Sequence, residues 1–246
     1  MKTIDGVNSG TLNTNVQFSN IQNLQGNDGI DTVTFAADSA INNISTFGGD
    51  DVVFMASGVQ AGLLDGGLGD NVLNLGDLNT VVDILGRTLE GGDAIYEAIN
   101  FTPVTGGDGL FTVRGLAGIN AEWLLDGDDS VSIRFTDAEG IAQERSYTNV
   151  SRMEGAEGTN RFVLMADGSL SGQIVGGTSL TAVNNQDNVW LIEGVDSGTL
   201  TSGTSQQLVF QGIANLIGGA AEDIFEIATG GSVTGSIDGG AGGDTL

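Results

Sequence analysis

The chain of 246 residues contains no cysteine and no histidine, and proline and lysine each occur once. Disulfide bonds, zinc sites of the usual Cys/His kind and catalytic triads that depend on histidine are therefore excluded. The single lysine, Lys2, stands at the N-terminus, where we expect frayed backbone and no buried catalytic amine. The chemistry that remains is that of carboxylates, hydroxyls, amides and arginines, together with metal ions that prefer oxygen ligands.

Basic residues are scarce as well: 7 lysines and arginines stand against 32 aspartates and glutamates, for a formal net charge of −25. A phosphate backbone or an anionic membrane surface would be repelled, so we expect no nucleic-acid partner. No apolar run reaches the roughly 18 residues that a membrane span requires, so we expect no membrane insertion. The charge is compatible with simple solubility and with a protein that is loaded with cations outside the cell.

Aromatic residues are sparse, at 6%, whereas the chain has 41 glycines and an apolar content of 39%. This apolar content is enough for a core, so the high charge does not by itself imply disorder. Glycine costs about 1 kcal/mol at an interior helix position, which argues against a helical bundle. The composition favours narrow, layered β-structure with many tight turns.

Three segments of the chain resemble one another. Each begins at an aromatic residue, Phe18, Tyr147 or Phe210, and carries apolar residues at the same later offsets and a glycine eight positions on. The string DGVNSGTL at 5–12 likewise matches EGVDSGTL at 193–200, and LLDGDDSVSI is a weaker echo of the same pattern. The sequence therefore predicts a repeat of about 60 residues.

A shorter spacing lies inside this repeat: the interval from Gly155 to Gly176 equals that from Gly218 to Gly239. Apolar and polar residues alternate in short runs bounded by Gly, Asn or Asp, which is the period of a strand. Stacked units of this size share a core that one unit cannot form alone. We therefore predict an all-β fold, a parallel β-solenoid of the β-helix or β-roll kind with coils of about 20 residues. An antiparallel sandwich is the alternative.

Six strands are predicted, each with its apolar members buried and each pairing in parallel with neighbours about one coil away along the chain. They centre at residues 33–35, 52–54, 72–75, 131–133, 162–164 and 224–227. Residues 1–75 and 147–246 are expected to be solenoid repeats, truncated at both ends, and residues 76–146 a diverged or insertion-bearing segment. Within that segment, residues 76–122 are expected to protrude as a loop or to carry a short helix at GGDAIYEAI, residues 91–99.

Glycine–aspartate strings recur at the ends of the repeats. DGGAGGDTL at 238–246 and GNDGIDTVT at 26–34 resemble the nonapeptide of hemolysin-type calcium-binding (RTX) repeats. In that family, calcium lies between the turns of adjacent coils, and the resemblance implies Ca²⁺ as a cofactor held by carbonyl and carboxylate oxygens. The alternative is a set of hydrogen-bonded Asn/Asp-Gly turns with no ion. The implied side-chain ligands are Asp31, Asp50, Asp51, Asp70, Asp223 and Asp244.

The chain as a whole resembles giant repetitive bacterial surface and secreted proteins, including RTX-type adhesins. The pattern runs from Trp190 and Ile192 through Phe210 and Leu216 to Asp244, and the resemblance covers most of the chain but little of residues 76–146. It implies a β-solenoid, an extracellular or cell-surface setting, and neighbouring repeats of the same parent chain as partners. Surface glycans and other host or cell-surface ligands would be the further partners of such a protein.

Two function classes follow. The first, which we expect, is a non-catalytic repeat segment that acts as a calcium-stabilised stalk or adhesive scaffold. The second is a polysaccharide-active β-helix of the lyase or epimerase type, or its accessory calcium-binding module. Arg134 beside Asp128 and Asp129 is the only local hint of the second class, and no catalytic residue is predicted. An enzyme needs a concave groove that clusters acidic, arginine and aromatic side chains on one face, whereas a smooth surface favours the scaffold.

Overall fold

The chain folds into β-strands and turns. The structure, a computed structural model, describes residues 1–13, 15–76, 79–90, 93–183, 185–203 and 207–246. These residues contain no helix, and therefore none that is long and apolar enough to cross a membrane. They form two compact units, Met1–Phe111 and Thr112–Leu246, which are described in turn.

The described residues of the first unit form 13 strands. Most are bounded by Gly, Asn, Asp or Ser, the residue types that readily adopt turn conformations. The strands are β1 (Lys2–Gly6), β2 (Ser9–Leu12), β3 (Val16–Ser19), β4 (Asn23–Asn27), β5 (Thr32–Phe35), β6 (Ala40–Phe47), β7 (Val52–Phe54), β8 (Gln60–Asp65), β9 (Val72–Asn74), β10 (Thr80–Asp83), β11 (Arg87–Glu90), β12 (Asp93–Ile99) and β13 (Val104–Thr105).

Two parallel ladders run through the first unit. β5, β7 and β9 pair so that Thr32, Val52 and Val72 lie in line, and β4, β6 and β8 pair with the same step along the chain. The side chains that follow, Val33 and Val53, are both fully buried. A constant step places the same residue position in the core of each successive layer, as expected when neighbouring layers share one apolar interior.

Antiparallel strands interrupt the first unit at two places. β1, β2 and β3 form a meander, and so do β10, β11 and β12. One outer strand of each meander also joins a parallel ladder, because β1 pairs with β5 and β12 pairs with β8. The short helix predicted at 91–99 is therefore wrong for residues 93–99, whereas residues 91 and 92 lie outside the described part of the chain. Residues 93–99 form β12, with Glu97 opposite Leu63 and Ile99 opposite Asp65. The protruding loop predicted for residues 76–122 is wrong at β10 to β13, which pair with one another or with earlier strands.

The described residues of the second unit form 12 strands, the first of which starts at the last residue of the first unit. They are β14 (Phe111–Arg114), β15 (Ala121–Gly127), β16 (Ser130–Thr136), β17 (Ala142–Thr148), β18 (Arg152–Glu154), β19 (Asn160–Leu164), β20 (Gln173–Thr181), β21 (Asn188–Gly194), β22 (Ser197–Ser202), β23 (Gln207–Ile217), β24 (Asp223–Ile227) and β25 (Ile237–Asp238).

The second unit is built around two further meanders, β15–β16–β17 and β21–β22–β23. The first strand of each meander pairs in parallel with a later strand, β15 with β19 and β21 with β24. β14, β18, β20 and β23 form a parallel ladder in that order. Each unit is thus all-β and mixed, with parallel pairings in the majority, which is compatible with a β-solenoid.

The meanders β1–β2–β3, β15–β16–β17 and β21–β22–β23 share backbone details. In each, a β-bulge lies at the glycine that ends the first strand, and two residues later an Asn or Asp adopts a positive φ, which these residue types accept better than most. The glycines are Gly6, Gly127 and Gly194, and the positive-φ residues are Asn8, Asp129 and Asp196. The third strands carry the aromatic residues at which the sequence similarity begins, Phe18, Tyr147 and Phe210. The similar sequence segments therefore occupy similar structural positions.

All six predicted strands are present, but not all of their predicted pairings. Residues 131–133 lie in β16, which pairs antiparallel with β15 and with β17, so the parallel pairing predicted there is wrong. β24 pairs in parallel on two sides: Ile224 forms a bridge with Thr245 at about the predicted step, which confirms that pairing, and β24 also pairs with the distant strand β21, with Asn188 opposite Asp223. The step to β21 is longer than the predicted coil because β22 and β23 are inserted between the two strands.

The predicted burial holds for one face of each strand only. Phe54, Ile224 and Ile227 are exposed at 40%, 41% and 51%, although all three were expected in the core. Successive side chains of a strand point to opposite faces, and Val53 and Phe225 take the inner positions next to Phe54 and Ile224. Ile227 shares the face of Phe225 but is the last residue of β24. Apolar residues on the outer face or at the end of a short strand therefore remain in contact with solvent.

Candidate functional site

A ladder of buried polar side chains precedes the strands β5, β7 and β9. Asp31, Asp51 and Asn71 recur at one constant interval and are at most 5% exposed. The backbone N–H of Asp31 donates to Oδ1 of Asp51 at 2.7 Å, and the backbone N–H of Asp51 donates to Oδ1 of Asn71 at 3.0 Å. Buried backbone donors need partners, and each is satisfied here by the side chain of the next layer.

The first rung of this ladder is neutralised by the only lysine of the chain. Oδ1 of Asp31 forms an ion pair with Nζ of Lys2, and Oδ2 of Asp31 accepts the backbone N–H of Asn27 at 3.0 Å. The Lys2 side chain is only 12% exposed. The expectation of a frayed end is therefore wrong for Lys2, which is held in β1 by its pairing with β2 and β5.

The second rung is less well satisfied. Oδ2 of Asp51 is buried and has no hydrogen-bond partner among the described residues, although Oδ1 of the same carboxylate accepts one. A buried oxygen without a donor is unfavourable by about 1–3 kcal/mol, and more when the group is charged. This carboxylate is the least well compensated of the three residues in the ladder.

Asp50 and Asp70 lie on the outside of the same turns. Both are exposed, and the backbone N–H of Asp70 donates to Oδ1 of Asp50 at 3.0 Å. Gly49 and Gly69 precede them with φ of 119°, a conformation that L side chains rarely adopt. The turns thus stack closely, and they bring these two aspartates into adjacent layers.

The last two predicted ligands form a similar contact in the second unit. The backbone N–H of Asp223 donates to Oδ1 of Asp244 at 3.1 Å. Asp223 is fully buried; its Oδ2 accepts the backbone N–H of Gly219 at 2.6 Å, and its Oδ1 accepts Nδ2 of Asn188. Both carboxylate oxygens of Asp223 are therefore already engaged by N–H donors.

The six predicted metal ligands thus meet as three pairs, one residue from each of two successive turns. No group of three or more acidic side chains that could hold a metal ion occurs in the described parts of the chain. Asp31 and Asp223 each direct both carboxylate oxygens at N–H or ammonium donors, which leaves fewer lone pairs for an ion. Oδ2 of Asp51 has no hydrogen-bond donor among the described residues, and the side chains of Asp50 and Asp70 are exposed to solvent. These oxygen atoms are therefore free to bind an ion.

A second feature was not predicted: a charged row on the outer face of the second unit. Register places Glu122 of β15 between Arg161 of β19 and Arg134 of β16, and Arg134 next to Glu144 of β17. The charges alternate across four neighbouring strands. All four side chains are exposed, and Arg134 forms an ion pair with Glu144 at 3.4 Å. We refer to these four residues as the charged row.

The charged row forms part of the lining of a groove of about 690 Å³. Asn120, Thr136 and Thr159 also line this groove, and Oδ1 of Asn120 accepts the backbone N–H of Thr159 at 2.8 Å. Gln143, another lining residue, donates from Nε2 to Asp137 at 2.8 Å. Hydrogen bonds from Ile141, Gln143 and the adjacent backbone hold the pKa of Asp137 below its usual value. Hydrogen bonds therefore hold two polar side chains of the lining in place, and the lining also includes Ala121, Phe135 and Ala142.

The residues that hinted at an enzyme in this region are not brought together. Arg134 contacts Glu144, whereas Asp128 accepts the hydroxyl of Ser169 at 2.7 Å and Asp129 accepts the backbone N–H of Ser171 at 2.6 Å. Asp128 and Asp129 therefore fasten the β15–β16 turn to a later segment. The charged row depends on cross-strand register, and only the concentration of arginines between 114 and 161 could have indicated it.

A cluster of opposite charges lies on the neighbouring ladder. Glu154 of β18 accepts Nε of Arg114 at 2.6 Å and Nε of its neighbour Arg152 at 2.7 Å. Burial alone would raise the pKa of Glu154, but the hydrogen bonds and charges of Arg152 and Arg114 outweigh it and hold this pKa below its ordinary value. Two arginines are thus used for structure, whereas Arg161 forms no ion pair within the described residues.

Comparisons with known proteins give this chain no relative. No protein-family model, no curated protein and no solved structure matches it. The resemblance to RTX-type repeats therefore rests on the sequence motifs alone and stays a prediction.

Proposed function

We propose that the chain is a β-solenoid and serves as a non-catalytic scaffold segment of a large secreted or cell-surface bacterial protein. The observation that carries this proposal is the constant step of the parallel ladders in the first unit. β6 pairs with β4 on one side and with β8 on the other, so each layer rests on its two neighbours. Such arrays extend by adding layers, and their partners include neighbouring repeats of the same parent chain.

The buried carboxylates support the same proposal. Asp31, Asp51 and Asp223 each join one layer to the next through a hydrogen bond between a backbone N–H and a side-chain oxygen. These side chains fasten layers together and are closed to a large substrate. A polypeptide that uses its interior acidic groups in this way is suited to a mechanical role.

A pulling experiment tests the scaffold proposal. The chain, held between handle domains in an optical trap or force microscope, is expected to unfold in successive steps that release one or two layers at a time. Release of one layer, the stretch from Thr32 to Val52 for example, corresponds to an increment of about 7 nm, since an extended residue spans at most about 3.6 Å. Loss of all layers in one event at low force would contradict a layered scaffold.

Calcium stabilisation of this scaffold stays a prediction, centred on Asp50 and Asp70. An ion that binds only the folded state stabilises it by about 2.7 kcal/mol at 100 times its dissociation constant. The melting temperature should then be higher in millimolar calcium than in chelator at matched ionic strength. Asp50→Ala and Asp70→Ala should shrink the difference, and the exposed Asp167→Ala should not. Identical melting curves in calcium and chelator would leave a scaffold that needs no ion.

The alternative function, a polysaccharide lyase or epimerase, is favoured by one observation. The groove places Arg134 between Glu122 and Glu144 on a concave outer face, as a sugar-processing site would require. Lyase activity creates unsaturated uronates that absorb ultraviolet light, and epimerase activity changes the uronate composition of the polymer. We expect neither change when the chain is incubated with polyuronates, and turnover that Arg134→Ala abolishes would replace the scaffold proposal.

A further inference from the structure

We propose that the groove over the charged row is a binding site for neutral glycans. The inference rests on the proposed function in one respect, since it gives the non-catalytic scaffold an adhesive surface. It concerns the outer face of β19, β15, β16 and β17, which lies entirely within the second unit.

The dimensions of the site suit a sugar chain. Neighbouring strands lie about 4.8 Å apart, so a row across four strands is about 14 Å wide, the length of two to three sugar rings. The groove over the row has a volume of about 690 Å³. It lies over strands, whose hydrogen-bonded backbone keeps the side chains of the row in fixed register.

The chemistry of the lining argues for hydroxyl groups as the ligand's polar atoms. A carboxylate can accept two parallel hydrogen bonds from adjacent sugar hydroxyls. A guanidinium group can donate two parallel hydrogen bonds to such hydroxyls. Arg161 and Glu122 form no ion pair within the described residues, and the ion pair of Arg134 with Glu144 is more than half exposed. These groups are thus available to a ligand at little desolvation cost.

The charge balance argues for a neutral ligand. Two arginines and two glutamates give the row no net charge, whereas the whole chain carries −25. A polyanion would meet the repulsion of the whole molecule, and a polycation would find stronger sites elsewhere on the acidic surface. A neutral polyhydroxylated chain can form hydrogen bonds with the row and experiences no electrostatic repulsion from the net negative charge of the protein.

The same molecule provides an internal control for the site. In the third meander the equivalent row consists of Ile224, Val189, Thr201 and Gln207, which occupy the same cross-strand positions without a charge. A general affinity of β-sheet faces for polysaccharide would be shared by both rows. An affinity that belongs to the charged row would not involve Thr201.

The test is affinity electrophoresis and calorimetry of the intact chain with a fixed set of probes. The neutral probes are dextran, yeast mannan, galactomannan and xyloglucan, and the charged comparators are alginate and chitosan. We expect retention by at least one neutral probe, unchanged between about 0.05 M and about 0.5 M salt because no charge is neutralised. Arg134→Ala and Glu122→Gln should each weaken it about tenfold or more, as loss of a charge-assisted bidentate contact does. Thr201→Ala should leave it unchanged.

Several results would overturn the proposal: no retention by any neutral probe, retention by a charged probe only with steep salt dependence, or equal retention of the groove variants and their parent. Circular dichroism and melting of each variant separate a lost site from a lost fold. The pulling experiment does not involve the groove, so the scaffold can fail while the site stands, and the reverse. Cleavage of a retained neutral glycan would keep the site and reject the non-catalytic function.

Discussion

The second and third meanders, β15–β16–β17 and β21–β22–β23, have the same backbone and different surfaces. Both begin with a strand whose tryptophan is fully buried, Trp123 or Trp190, and both end that strand in a bulge at a glycine. Their outer rows differ completely: one alternates arginine and glutamate, and the other carries no charge. The difference indicates that the buried positions determine this fold, since the same registers accept charged or uncharged residues on the outer face.

The buried positions are not identical either. Trp123 packs on Phe162 with ring centroids 5.1 Å apart, and its Nε1 donates to Oδ1 of Asn160 at 3.1 Å. Trp190 stacks on Phe225 with centroids 5.6 Å apart, but its Nε1 is buried without a hydrogen-bond partner among the described residues.

A difference between the two meanders at a neighbouring buried position explains why Nε1 of Trp190 has no hydrogen-bond partner. Asp223 stands where the second meander has Asn160, but Asn188 stands where that meander has Ala121. The Asn188 side chain donates to Oδ1 of Asp223 and accepts the hydroxyl of Ser202 at 2.6 Å. The buried acceptor at this position therefore has a different donor in each meander. Asn160 accepts the indole N–H in the second meander, and Asp223 accepts the amide of Asn188 in the third.

The largest effect is expected from removing the buried acceptor of the third meander. Asp223→Ala leaves the Gly219 N–H without a partner and removes one acceptor of the Asn188 amide, which keeps two backbone carbonyl acceptors. It should lower the free energy of unfolding by about 3 kcal/mol, since hydrogen bonds to a charged group are worth about 1.5–3 kcal/mol each. Urea denaturation measures it. The exposed neighbour provides the control, because Glu222→Ala should change little; equal losses in both variants would mean that the buried acceptor has no special role.

A smaller effect distinguishes the two tryptophans. Trp123→Phe and Trp190→Phe leave similar voids, but only the first removes a hydrogen bond and leaves Oδ1 of Asn160 unpaired. We expect Trp123→Phe to be the more destabilising by about 1 kcal/mol, the usual net value of one buried hydrogen bond. The fluorescence of the remaining tryptophan follows unfolding in each variant. The reverse order of stabilities would contradict the assigned hydrogen bonds.

The smallest effect is on the pH dependence of stability, and it concerns Glu154 of β18. Because the folded pKa of Glu154 lies below its ordinary value of 4.5, its stabilisation is complete above that value and is lost as pH falls through the folded pKa. Glu154→Gln should flatten the dependence of unfolding free energy on pH in the acid range, by about 1 kcal/mol or less. Glu157→Gln, an exposed control, should leave the dependence as it was.

The parallel ladders of the first unit could be predicted from the sequence because local signals there agree. Alternating apolar residues such as Val33 and Phe35 lie between turn residues and recur one coil later, which fixes both the strand and its partner. The meanders were missed because alternation does not encode the direction of pairing. Residues 93–99 carry apolar residues at helical spacing, yet pairing with β8 makes them a strand.

The candidate sites were predictable to a smaller extent. Motif matching found Asp31, Asp51 and Asp223, and the structure places all three at equivalent turn positions. Asp51 and Asp223 each accept a hydrogen bond from a donor in another layer, which the sequence does not reveal. The charged row could not be predicted from the sequence for a related reason. Arg134 and Arg161 are distant in the sequence, and their common face follows only from the registers of β15 with β16 and β19.

The central claim, that inner positions fix the fold and outer positions are free to carry recognition, is tested most directly by transplanting the charged row. The graft combines Ile224→Arg, Val189→Glu, Thr201→Arg and Gln207→Glu in one chain. Surface substitutions usually change stability by about 0.5 kcal/mol or less each, so the free energy of unfolding should stay within about 2 kcal/mol of the parent, and the graft should unfold as cooperatively as the parent. Loss of cooperative unfolding, or a fall of more than about 4 kcal/mol, a size that single-site surface effects do not reach, would show that the outer row is itself required for the fold.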